Sequence, residues 1–149
     1  MLTKKGKYGL KALIYLARLE PGAVALINTI AETNQIPKKF LEAILSDLKK
    51  ASFVHSKKGK GGGYCLARAP EEIYVGQVIR VLDGPLAPIA CASSNFFQRC
   101  DDCEDDDICA VRLTMLNVRN AISGLLDNQT LAELRDLPRQ PRKQRRRVR

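Results

Sequence analysis

Residues 36–67, IPKKFLEAILSDLKKASFVHSKKGKGGGYCLA, decide the fold. In the first half Leu41, Ile44, Leu45 and Leu48 recur at the three-and-four spacing that puts them on one face of an α-helix running to about Ala51. Pro37 suits the first turn of that helix, where its missing N–H costs nothing. The period then changes. Phe53-Val54-His55-Ser56 and Tyr64-Cys65-Leu66-Ala67 read as two short strands joined by Lys57-Lys58-Gly59-Lys60-Gly61-Gly62-Gly63. A hairpin with a tip of lysine and glycine, directly behind a helix, reads as a wing.

Upstream, residues 26–34 give a short helix with Ile27, Ile30 and Ala31 inward, and Asn34-Gln35 is a turn. Two short helices separated by a few residues form a helix-turn-helix pattern. Before them, Leu10, Leu13, Ile14 and Ala17 mark an amphipathic helix over 5–19, ended by Glu20-Pro21-Gly22. Downstream, residues 75–83 give a short helix closed by Gly84-Pro85. Residues 84–108 hold cysteines without periodicity and read as a loop, long enough to expect a function of it.

A long helix follows from about Ile108 to Leu126. Ile108, Val111, Met115, Val118, Ile122 and Leu125 are spaced as a heptad seam. So small a domain has little room to bury that helix, so the seam predicts a homodimer interface. Thr130-x-x-Glu133 is a capping-box pattern opening a last short helix, and Pro138 ends it. The predicted fold is mostly α with a small β-hairpin, a winged helix-turn-helix domain plus a long dimerisation helix. Its expected units are residues 1–83 (DNA-binding), 84–108 (cysteine-rich sensor loop), 109–137 (dimerisation helix and short terminal helix) and 138–149 (a disordered basic tail).

Charge sharpens this reading. The 149 residues carry a net charge of +9, but unevenly. Residues 1–60 hold 12 Lys and Arg against 4 Asp and Glu, residues 61–138 hold 6 against 12, and residues 139–149 hold 7 against none. A basic front on a helix-turn-helix points to a polyanion, double-stranded DNA. The N-terminal residues of a helix in the major groove reach base edges, and here these are Lys38, Lys39, Glu42 and Ala43. The lysines can approach phosphate or guanine acceptors, and Glu42 can accept from cytosine. Lys57, Lys58 and Lys60 of the wing suit the minor groove or flanking phosphates, with the glycines letting that backbone lie close to DNA. Two readers related by a twofold axis predict an imperfect palindrome as operator.

The single His and the lack of a nucleophile elbow, a phosphate loop or a dinucleotide fingerprint argue against an enzyme. No apolar run approaches the roughly 18 residues of a membrane span, and the N-terminus has no apolar signal core, so a cytoplasmic location is expected. In that compartment five cysteines favour metal or thiol chemistry over disulfides. Cys91, Cys100, Cys103 and Cys109 stand as Cys-x8-Cys-x2-Cys-x5-Cys, a set that could hold zinc or an iron–sulfur cluster. Asp101, Asp102, Glu104, Asp105, Asp106 and Asp107 beside them disfavour bare thiolates. Asp107 is the expected N-cap of the long helix, whose dipole would favour a Cys109 thiolate. Cys65 reads as a small core hydrophobe, and His55 as structural or DNA-flanking.

These segments together resemble the Rrf2 family of winged-helix transcription regulators, the family of IscR, NsrR, RirA and CymR. The resemblance spans about residues 1–137 and is carried by Leu2-Thr3-Lys4-Lys5-Gly6-Lys7-Tyr8, Ile36-Pro37-Lys38-Lys39-Phe40-Leu41-Glu42, the wing from Lys57 to Tyr64, the Cys91–Cys109 loop and Thr130-Leu131-Ala132-Glu133-Leu134. It implies a homodimeric regulator, expected to be a repressor, that senses iron, iron–sulfur, nitric oxide or redox status, or cysteine metabolism. By position it implies DNA contacts at Thr3, Tyr8, Lys39, Glu42 and Lys58, and cluster ligation ([2Fe-2S] or [4Fe-4S]) by Cys91, Cys103 and Cys109. The chain departs from the pattern at Arg112, where some relatives carry a histidine ligand, and at Lys7, where others carry an acidic one. Cys100 is an additional thiol that could replace them. The alternatives are a cluster-free thiol or structural-zinc regulator and, further off, a basic RNA-binding protein.

Overall fold

The structure is a computed structural model that describes residues 2–138. Six helices and one hairpin follow in order: α1 Lys4–Ala17, α2 Ile27–Asn34, α3 Lys38–Lys50, β1 Val54–Lys57, β2 Gly63–Leu66, α4 Val75–Asp83, α5 Ala110–Leu126 and α6 Leu131–Asp136. The predicted winged helix-turn-helix is therefore present, mostly helical with a two-stranded sheet.

The apolar stripes read from the sequence converge on one core. Leu13, Ile30, Leu41, Ile44, Leu45 and Leu48 are fully buried in it, together with Val54 and Val78. Each such side chain contributes about 2 kcal/mol of transfer free energy. Gln35 makes the α2–α3 turn in the left-handed region (φ 55°), and Ile36 N–H returns to the Ala31 carbonyl at 2.9 Å. Pro37 stands one residue before the expected place: it is the N-cap of α3, and the helix proper begins at Lys38.

At the other end of α3, Ser52 adopts φ 61° to turn the chain into the wing. Arg68 supports that turn, its Nε donating to the Ser52 carbonyl at 3.1 Å while its guanidinium stacks 4.3 Å from the Phe53 ring. In the hairpin, Val54 pairs with Leu66, His55 with Cys65, Ser56 with Tyr64 and Lys57 with Gly63. Ala25 and Tyr64 exchange backbone hydrogen bonds of 2.8 and 2.9 Å, fastening the wing to the loop before α2. Two of the wing glycines also have a role within the chain. A Cβ on Gly62 would strike the Lys57 carbonyl and one on Gly63 the Ala25 carbonyl, so these two serve the chain's own backbone packing.

The last helix joins the winged-helix body. Leu131 N–H donates to the Ile73 carbonyl at 2.8 Å, Val75 N–H to the Gln129 carbonyl at 2.9 Å, and Leu131 lies in the main core. The capping box at Thr130 and Glu133 is formed as read.

Between α5 and α6 the chain turns at Asp127, whose carboxylate takes both guanidinium nitrogens of Arg80 in α4 at 2.5 and 2.9 Å. Helix α5 has no buried residue. Val111 is 64% and Leu125 74% exposed, with Ile108 and Val118 also on the surface. Ile122 differs from these four: with Leu126 it packs on Val75, Ile79 and Leu86 of its own chain.

Candidate nucleic-acid interface and cysteine centre

The basic surface is built on the two faces of α3. Its apolar face is spent in the core, which leaves Lys38, Lys39 and Glu42 exposed at its N-terminal end. Lys57, Lys58 and Lys60 are exposed on the wing. Lys49 Nζ hydrogen-bonds Ser56 Oγ at 2.6 Å and so ties the end of α3 to the first wing strand.

Tyr8 of α1 is half-buried, its ring edge-on to Phe40 of α3 with centroids 5.6 Å apart. It props the start of α3. Thr3 is exposed and caps α1: its Oγ accepts from the N–H groups of Lys5 at 3.1 Å and Gly6 at 3.4 Å. The same hydroxyl donates to Asp83 Oδ1 at 2.5 Å, so its proton already has an acceptor inside the chain. His55 is exposed on the wing, and Cys65 opposite it is half-buried rather than in the core, lining a cleft with Leu16 and Arg68.

The loop between α4 and α5 gathers four cysteines. Cys91 is buried in a short 3₁₀ turn, Ala90–Ala92, within the stretch read as irregular. Its thiol meets that of Cys100, Cys100 neighbours Cys103, and Cys103 neighbours Cys109, so the four sulfurs form a row. Asp102 belongs with them: its carboxylate and the thiols of Cys100 and Cys103 lie within 4.8 Å of one another. Soft thiolates with one nearby carboxylate form a donor set that suits zinc or an iron–sulfur cluster, so the residues present fit such a group.

The helix start differs from expectation. Cys109, not Asp107, is the N-cap of α5, and Ile108 stands outside the helix. The Cys109 thiol faces the amides of Arg112 and Val111 too loosely for a cap hydrogen bond, yet closely enough to hold its pKa below the ordinary thiol value. Cys103 is pushed up by its pairing with Cys109, and Cys100 to about 11 by its pairing with Cys91. Of Cys100, Cys103 and Cys109, the thiol at the helix N-terminus is the most acidic.

Arg112 is the residue whose role the spacing did not show. Its Nε donates to the Cys91 carbonyl at 3.0 Å and its Nη1 to the Asp106 carbonyl at 3.1 Å, while its guanidinium lies 5.6 Å from the centre of the Phe97 ring. One side chain thus clasps both ends of the cysteine loop to α5. Arg99 adds a second clasp, donating to the carbonyls of Cys103 at 3.2 Å and Glu104 at 2.8 Å and lying 3.6 Å from Asp106 Oδ1. The acidic loop is thus countered by its own Arg99 and by Arg112 of α5. The basic tail of residues 139–149 lies outside the described residues.

Three comparisons bear on this arrangement. Residues 2–136 match the family model described as Rrf2, iron-dependent transcriptional regulator. An rrf2-like HTH-type transcriptional regulator of Rhodobacter capsulatus is 41% identical over 137 residues, covering 90% of this chain and 91% of that protein. Among solved structures, CymR, the global cysteine regulator of Bacillus subtilis, superposes with a TM-score of 0.74 at 33% identity, covering 91% of this chain and 95% of that one. IscR of T. potens superposes with a TM-score of 0.70 at 31% identity, covering 90% and 85%.

Proposed function

The chain belongs to the Rrf2 family of transcriptional regulators, and from that premise we propose that it binds an imperfectly palindromic operator as a homodimer, under control of an iron–sulfur cluster held by Cys91, Cys100, Cys103 and Cys109. The observation that carries the proposal is the row of four thiols at the N-terminus of α5, fastened by Arg112. A bound cluster would make this centre responsive to iron, oxidants or nitric oxide. Arg112 cannot ligate a metal, because its guanidinium stays protonated. Cys100 therefore takes the fourth position, with Asp102 the nearest oxygen donor.

In this reading α3 enters the major groove with Lys38, Lys39 and Glu42 foremost, and the wing lysines Lys57, Lys58 and Lys60 hold flanking phosphates. Thr3 and Tyr8 set the end of α1 beside them, Thr3 by capping the helix and Tyr8 by offering its hydroxyl. The exposed apolar stripe of α5, Val111, Val118 and Leu125, pairs with that of a second copy. Ordering the loop alters the position of Asp83, one residue before it begins, and through it the α1 terminus.

Protein purified without oxygen should contain iron and acid-labile sulfide and show visible absorption. Replacing any one of the four cysteines by Ala should bleach that absorption and change operator affinity in fluorescence anisotropy. Stoichiometric zinc without sulfide, or four variants with unaltered DNA binding, would sink the cluster reading. A specific observation favours a second reading in that event: the acidic Cys109 thiol beside Cys103 is placed for reversible oxidation to a disulfide by a peroxide or disulfide oxidant. An RNA-binding role would rest on the basic tail. No helix among the described residues is long and apolar enough to cross a membrane.

A further inference from the structure

One heptad after Arg112, on the same side of α5, Arg119 opens onto a cavity of about 90 Å³ between α5, the segment after α4 and residues 93–96. That volume holds several waters. Its walls include Ser123 of α5, Ser93, Asn95 and Phe96 of the loop, and Leu86. Among the described residues, no acidic side chain lines it. Arg80 is at the rim, but Asp127 already takes its guanidinium on two oxygens. Arg119 has no such partner: its Nε is buried without an acceptor, and it forms no ion pair with an acidic side chain among the described residues.

A guanidinium keeps its proton, and a buried N–H without an acceptor at the wall of such a cavity is a donor that an anion would satisfy. Arg112 shows what satisfies the equivalent position a heptad earlier: two loop carbonyls. At Arg119 the loop supplies hydroxyls and an amide around an open space. We propose that this cavity binds a small oxyanion, one carboxylate or phosphate group on a body of a few heavy atoms, with Arg119 as its counter-charge. Ser93, Asn95 and Ser123 would donate or accept around the oxyanion, and Phe96 and Leu86 would cover its apolar part. The site lies two residues beyond Cys91 and directly after α4, so an occupant would tie the cysteine loop to both helices. The binding itself requires neither a cluster nor DNA.

The test is calorimetric titration of the purified full chain with inorganic phosphate and, separately, acetate, at matched ionic strength. Saturable binding of one of the two at one site per chain is expected, and which anion binds more tightly tells phosphate chemistry from carboxylate chemistry. Arg119→Gln should weaken the affinity by about tenfold or more, with its circular dichroism unchanged. Asn95→Ala, at an exposed loop position, should weaken it less and serves where Arg119→Gln does not fold. The proposal is overturned if neither anion saturates up to about 10 mM. It is equally overturned if Arg119→Gln binds as the parent does, or if that variant instead loosens a dimer while no anion binds, which would give the Arg119 charge to a second copy.

Discussion

Thr3 and Asp83, eighty positions apart, are joined by two hydrogen bonds: the Thr3 amide donates to Asp83 Oδ2 at 2.9 Å and its hydroxyl to Oδ1 at 2.5 Å. Gly6 N–H adds a third at 3.1 Å. Asp83 is the last residue of α4, where the helix dipole disfavours a carboxylate, but the N-terminus of α1 repays it with free amides. The next residue, Gly84, turns with φ 85° into the loop that leads to the cysteines. The α1 terminus is thereby fastened to the point where that loop begins.

Asp83→Asn keeps the shape and removes the charge. It should cost about 1–2 kcal/mol in urea unfolding and lower operator affinity more than its distance from α3 would suggest. If stability falls and affinity does not, the α1 terminus plays no part in DNA binding.

The wing is tested separately. Lys58→Ala with Lys60→Ala removes two exposed charges that touch nothing in the core, so the fold should be intact. Operator affinity should drop, and the slope of its logarithm against log salt should become shallower by up to about 1 for each phosphate the wing no longer neutralises. An unchanged slope would place the wing away from the phosphates.

Helix α5 separates self-packing from partner-packing. Val111→Glu with Val118→Glu adds carboxylates on a face that the chain leaves to solvent. The variant should fold but sediment as a monomer, since facing buried carboxylates cost several kcal/mol. Ile122→Ala should instead lower stability by about 1–2 kcal/mol, because Ile122 packs on Val75 and Ile79. A double Glu variant that remains dimeric would move the interface elsewhere.

The helix-turn-helix and wing were legible because their signals are local. Period 3.6 over Leu41–Leu48 gives way to two short strand patterns about a glycine tip, and each is set within a dozen residues. The α5 seam was legible only as a stripe: a three-and-four spacing cannot show that Ile122 turns to its own chain while Val118 faces out. The cysteine spacing pointed to the centre, but not to its clasp. Arg112 reads in sequence as a missing histidine and in space as a donor to the Cys91 carbonyl 21 positions away. The Thr3–Asp83 and Arg80–Asp127 pairs are likewise tertiary, with no periodicity to announce them.

Arg80 and Asp127 give a pH test. Arg80 holds the Asp127 carboxyl below its ordinary value, chiefly through their hydrogen bond. A folded-state pKa depressed in this way stabilises the protein above the unfolded value, about 4, and that contribution is lost as pH falls through the lowered value. Both side chains are partly exposed, at 35% and 40%, so the pair is worth no more than about 1 kcal/mol. Asp127→Asn should lower stability by that amount at neutral pH and converge with the parent as pH falls below the lowered folded-state value. A constant gap at all pH values would mean that packing, not charge, links α4 to α5.

The cysteine row makes an ordered prediction for the reduced, metal-free chain. Cys109 is held below the ordinary thiol range first by the Arg112 amide, then by Cys103 and the Val111 amide, against the cost of its burial. Cys100 is pushed to about 11, chiefly by its pairing with Cys91. Both side chains are half-buried, so access does not separate them and thiolate population does. At neutral pH iodoacetamide should modify Cys109 well before Cys100, as read by peptide mass spectrometry. With rising pH the Cys109 rate should level off below the ordinary thiol pKa, about 8.5, while the Cys100 rate is still climbing. Replacing Arg112 by Ala should slow Cys109 only modestly, because the amide remains, but should speed Cys91 by freeing the loop that buries it. Equal rates at Cys100 and Cys109 would mean that the row of thiols does not persist in solution. The same reagent applied to protein purified without oxygen should leave all four thiols unmodified where they hold a cluster, with Cys65 still reacting as the internal control.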